Sequence, residues 1–111
     1  MLVAIAEIYV RIADREEVRR LMETTQERVR AQRGCVHYEF AEAFADPGRF
    51  VLVQEWSDQG ALDEHYRSDL FAEYEAKIGE HLVRDSDLRI YDAAVALSPV
   101  ASGPVEPTQE D

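Results

Sequence analysis

His65, Trp56, Tyr38, Phe71 and Tyr74 are the side chains through which this chain can do chemistry. His65 falls with Leu62 and Tyr66 at i, i+3 and i+4 of a helical stripe, which puts it near the face that turns inward. An imidazole titrates close to neutrality, so it can take a phenolic proton as a catalytic base. The plainer reading is a hydrogen-bonded histidine that fixes the helix on a sheet. Trp56 ends an apolar segment. Its indole can stack a flat substrate or wedge helix against sheet. Phe71 and Tyr74 share His65's side of the chain. They either line a substrate pocket, with the Tyr74 hydroxyl orienting a substrate oxygen, or complete the core. Tyr38 reads first as core packing, with a hydroxyl that needs a buried partner. His37 points the opposite way from Tyr38, toward solvent or a second subunit. His81 stands near a helix end, where the helix dipole is a sufficient reason for it.

Other chemistries lack their residues. The single cysteine, Cys35, has no base beside it in the chain and reads as a small buried hydrophobe. Glu55 lies among aliphatic neighbours and needs a partner, for which Arg11, Arg89 or a second subunit are candidates. Glu64-His65 and Glu80-His81 are adjacent pairs, and adjacent side chains diverge on a helix, so no metal is expected. Glycine is only 5 of 111 residues and forms no phosphate-cradling loop, so no nucleotide cofactor is expected either. The 23 acidic residues against 12 basic ones give a net charge of −11. Such a surface repels nucleic-acid backbones and anionic membranes. No apolar run approaches the ~20 residues of a membrane span. The opening MLVAIAEIYV has no basic segment and no small-residue cleavage site, so it does not read as a signal peptide. With one cysteine and no internal disulfide, the expected location is cytoplasmic.

These residues need elements to position them. A chain of 111 residues, 46% hydrophobic and 32% charged, is expected to form one ordered domain. Residues 2–11 read as a strand with apolar residues on both faces. Asp14 and Glu17 resemble a capping box at the start of a helix over 15–32, whose apolar stripe is Val18, Leu21, Met22, Thr25 and Val29. Gly34 follows as its C-terminal stop. Residues 35–44 alternate as a second strand, with Val36, Tyr38 and Phe40 on one side. The turn Asp46-Pro47-Gly48 makes a hairpin with a third strand over 50–57. Asp58 caps a second helix, and Ser68-Asp69 predicts a break in it. Residues 87–96 supply the last strand. Residues 1–97 then form the domain, and 98–111 a flexible acidic tail containing three prolines. The order β-α-β-β-α-β predicts an α+β, ferredoxin-like fold, an antiparallel sheet with both helices on one face. The apolar residues of the other face ask for a cover. A two-fold homodimer through that face is the most economical one.

The segments GCVHYEF (34–40), FVLVQEW (50–56) and ALDEHYRSDLFAEY (61–74) together resemble the antibiotic biosynthesis monooxygenase (ABM) domain, over about residues 2–96. The resemblance implies a homodimer whose sheets face each other as a dimeric α+β barrel, and a pocket between sheet and helices in each subunit. It implies a cofactor-independent monooxygenase that oxidises a hydroxylated aromatic or quinol substrate with O2. His65 would then be catalytic, and Trp56, Tyr74, Phe71 and Tyr38 would bind the substrate. A small-molecule isomerase, or a dimer that binds a small molecule without catalysis, would be similar in sequence. The haem-degrading branch of the family uses an Asn on the first strand and a Trp and a His along the second helix. Here the first strand has no Asn, His65 stands at the Trp position and Glu75 at the His position. Haem degradation is therefore not expected.

Overall fold

The computed structural model describes residues 1–96. The tail from residue 98 and the end of the domain at 97 lie outside the described residues. The elements are β1 (Leu2–Tyr9), α1 (Arg15–Arg30), β2 (Cys35–Glu42), β3 (Arg49–Trp56), α2 (Gln59–Arg67), α3 (Asp69–Gly79) and β4 (Asp87–Asp92). The four strands form one antiparallel sheet in the order β2-β3-β1-β4. This is the α+β, ferredoxin-like architecture that the element order predicts, with the second helix divided at Ser68.

The alternation along the strands decides what the sheet covers. Leu2, Ala4, Ala6 and Ile8 of β1 and Phe50, Leu52, Gln54 and Trp56 of β3 are buried against the helices. Val18, Met22, Thr25 and Val29 form the buried stripe of α1. The Thr25 hydroxyl donates to the Leu21 carbonyl at 2.7 Å, which satisfies a polar group inside an apolar stripe. β2 is an edge strand, and α1 blunts it. Gln26 Oε1 accepts from the Phe40 N–H at 3.0 Å, and Arg30 Nε donates to the Tyr38 carbonyl at 2.9 Å.

Three local expectations change. Asp14 does not cap α1 with its side chain. Its carboxylate bridges Arg11 Nε at 3.0 Å and His81 Nδ1 at 2.9 Å, and this cross-link takes His81 as well. Val36 leaves the core and is 55% exposed. A register shift between Cys35 and His37 turns it outward, as a bulge does. Glu55 forms no ion pair among the described residues. The last strand also shortens at its C-terminal end, from 87–96 to Asp87–Asp92.

The break between α2 and α3 rests on one hydroxyl. Ser68 Oγ donates to the His65 carbonyl at 2.6 Å and accepts from the Phe71 N–H at 3.1 Å. It closes one helix and caps the next. β4 is left with little cover. Leu88 and Ile90, paired with Ala6 and Ala4, face the helix side yet remain about half exposed. The gap between them and α3 opens onto the site.

Candidate active site

A cleft of about 370 Å³ lies between the sheet and the α2–α3 layer. Ala6, Ile8, Leu52 and Leu88 form its floor. Tyr38, Tyr66, Phe71, Tyr74 and Ile78 form its walls, and Glu75, Asp85 and Ser86 stand at its mouth. The lining is apolar and aromatic with a few polar groups, the usual character of a small-molecule site. It contains two carboxylates and no Lys or Arg.

The walls are held by aromatic packing. Tyr66 and Phe71 meet edge to face with centroids 4.9 Å apart, and Tyr38 meets Phe40 in the same way at 5.6 Å. Burial raises the pKa values of Tyr38, Tyr66 and Tyr74 above the ordinary phenol range. All three hydroxyls therefore keep their protons at neutral pH. Tyr74 Oη is buried and has no hydrogen-bond partner among the described residues. Such an unpaired buried hydroxyl costs free energy in the folded protein.

Of the five residues singled out in the sequence, Tyr38, Phe71 and Tyr74 line this cleft. His65 and Trp56 are in the layer behind it. They stack on each other with centroids 4.9 Å apart and planes at 27°. Both are fully buried, and neither borders the cleft. Tyr38 and Phe71 pack edge-on against His65 at 5.5 Å and 5.4 Å, so they stand between it and the space where a ligand would lie. His65 Nδ1 bonds Gln32 Oε1 at 2.7 Å, while Nε2 is buried without a partner. Burial lowers its pKa to about 4, so the ring is neutral at pH 7. The side of His65 away from the cleft borders a separate depression with Gln32, Glu64 and Ser68.

The family model for antibiotic biosynthesis monooxygenases matches residues 1–77. The chain belongs to the antibiotic biosynthesis monooxygenase family. A Synechocystis protein of uncharacterised role, sll1783, is 29% identical over 93 residues. The match covers 84% of this chain and 63% of that protein, so the chain spans less than two thirds of this curated relative. A Mycobacterium tuberculosis protein named "Putative monooxygenase Rv0793" is 37% identical over 70 residues, which are 63% of this chain and 68% of that one. Its solved structure superposes with a TM-score of 0.78 at 31% identity, covering 87% of this chain and 98% of that chain. A crystal structure of an antibiotic biosynthesis monooxygenase superposes with a TM-score of 0.80 at 29% identity, covering 86% and 100%.

The ABM fold thus brings together residues that spacing alone did not. Tyr66 follows His65 directly, yet it has the cleft wall. Gln54 stands among Phe50, Leu52 and Trp56 on one strand face, and that lone buried amide was the available signal. Asp85 and Ser86 carry no sequence signal as site residues, and the signal for Glu75 was its place at the His position of the haem-degrading branch. Among the described residues, no three His, Cys, Asp or Glu side chains converge as a metal site. No described helix is long and apolar enough to cross a membrane.

Proposed function

We propose that this ABM chain is a monooxygenase for a hydroxylated aromatic or quinol substrate, working with O2 and without a bound cofactor, as a cytoplasmic homodimer. The observation that carries the reading is the aromatic-walled cleft of about 370 Å³, in a chain of this family. A flat ring fits between the sheet floor and the side chains of Phe71, Tyr74 and Tyr38. The substrate supplies its own electrons. One atom of O2 enters a ring C–H bond, the other leaves as water with two hydrogens from the quinol, and the ring, four electrons poorer, becomes a hydroxyquinone.

Ionisation of the substrate starts this sequence, because a phenolate gives up electrons to O2 far more readily than a phenol. The base has to lie within hydrogen-bond reach of the proton it takes. Glu75 and Asp85 are the carboxylates on the cleft lining, and Glu75 on α3 takes this role in our reading. His65, one layer back, acts as a positioning residue through Tyr38 and Phe71. Oxygen consumption across a panel of phenols and bicyclic quinols, with chelator present and no flavin added, tests the proposal. The expected result is uptake of one O2 per quinol and one atom of labelled oxygen in the product. Ligands that bind in the cleft with no O2 uptake across the panel would instead make the protein a binding module.

A further inference from the structure

The indole of Trp56 fixes more than its own place. An indole N–H can only donate, so the Gln54 amide turns its oxygen toward Trp56 Nε1, at 2.9 Å. The amide nitrogen then faces Tyr66 and donates to its hydroxyl oxygen at 3.2 Å. Trp56 and Gln54 are 0% and 1% exposed, so this order cannot be reversed by exchange with solvent. The Tyr66 oxygen has accepted, and its own O–H meets no acceptor among the described residues. That hydroxyl belongs to a cleft-lining side chain. Three residues in series thus convert a buried indole N–H into an O–H donor at the ligand's side. The lining also holds Glu75 and Asp85 with no Lys or Arg, which disfavours a carboxylate ligand.

We infer that Tyr66 selects the ligand of this cleft by donating to an acceptor oxygen on an uncharged flat aromatic, a ring carbonyl or a phenol oxygen, and that Trp56 and Gln54 set the direction of that hydrogen bond. The inference rests on the cleft being the ligand site of the proposed function. It makes Tyr66 a specificity residue and Trp56 and Gln54 positioning residues behind it.

A pair of probes differing at one group isolates the bond. α-Tetralone and tetralin share a bicyclic skeleton, and only the first has a carbonyl. Calorimetric Kd values for both are measured on wild type, Tyr66→Phe and Gln54→Glu. Tyr66→Phe keeps the ring and should weaken α-tetralone binding by roughly five- to thirtyfold, leaving tetralin unchanged. Gln54→Glu still accepts from Trp56 but now draws the Tyr66 proton toward itself. It should remove the same preference with Tyr66 in place, an effect that a merely structural Gln54 would not produce. If Tyr66→Phe shifts both probes equally, or neither, the inference is overturned while the proposed oxidation stands. If wild type binds neither probe, the cleft is not a ligand site and both readings fall.

Discussion

His65 lies ring on ring with Trp56 at 4.9 Å, its Nδ1 held by Gln32 at 2.7 Å. Burial lowers its pKa to about 4 from the ordinary 6.5. The unfolded chain therefore takes up a proton below pH 6.5 that the folded chain refuses until pH 4. The stability tied to the neutral ring is fully present above pH 6.5 and is lost as pH falls toward 4, by up to about 3 kcal/mol. Thermal melts across this window should show a steeper acid loss for wild type than for His65→Gln, which cannot charge; parallel curves would disprove it. The same variant separates the two roles of His65. Acting from behind Tyr38 and Phe71, it should lower turnover by less than about tenfold, whereas the loss of a direct general base costs ~10²–10⁴. Tyr74→Phe deletes a buried hydroxyl with no partner. Thermal melts should show the variant as stable as wild type or up to ~1 kcal/mol more so, and a clear loss of stability would show that the hydroxyl has a partner. Side-chain spacing gave the direction of these residues but not their depth. His65 and Tyr66 are neighbours on one helix, and only packing against Trp56 assigns the first to the interior and the second to the cleft.

The elements were legible because each carries its own local signal. Alternation marks the strands, the i, i+4, i+7, i+11 stripe marks α1, and Ser68 marks the α2–α3 break through the chemistry of a cap. What stayed hidden depends on partners distant in sequence. Asp14 is diverted from its capping role by His81, 67 positions away, and Val36 is turned outward by the register of β2 on β3. The Ser68 cap gives a test at this scale. Ser68→Ala removes the bond to Phe71 N–H and should cost about 1 kcal/mol. It should also loosen Phe71 and Tyr74, visible as weaker ligand binding beyond the stability loss. Gly34 is a harder constraint. Its φ is +77°, and a Cβ there would collide with the Ala61 Cβ. Gly34→Ala must strain the turn and push α2 away from the end of α1. A larger fall in Tm than for Ser68→Ala is expected, and equal melting temperatures would show that the turn adapts.

At the scale of the whole molecule, the sheet has a helix-covered face and a second face that the described residues leave without a layer over it. Val3, Ile5, Val51 and Val53 lie on that second face, only partly buried, beside Tyr91 at 47% exposure. Ile5 and Val53 are register partners on the two central strands, so they mark its middle. Charged groups surround them: Glu7 is paired to Arg49 at 3.1 Å, and Glu55 and Arg89 stand on the same face without partners in the ion pairs seen. An apolar centre with a charged rim is the composition of a protein interface. A two-fold axis through the sheet centre would place each valine against apolar side chains and offer each Glu55 the Arg89 of a second copy. The net charge of −11 acts against association, so the apolar centre has to supply the driving force. Light scattering during size exclusion should therefore give about twice the 12.7 kDa chain mass. Val53→Asp would bury two like charges near the axis and should shift the protein to monomer, with a lower Tm. A wild type that is monomeric and folded at micromolar concentration, or a Val53→Asp variant that still elutes as a dimer, would show that this face does not carry the interface.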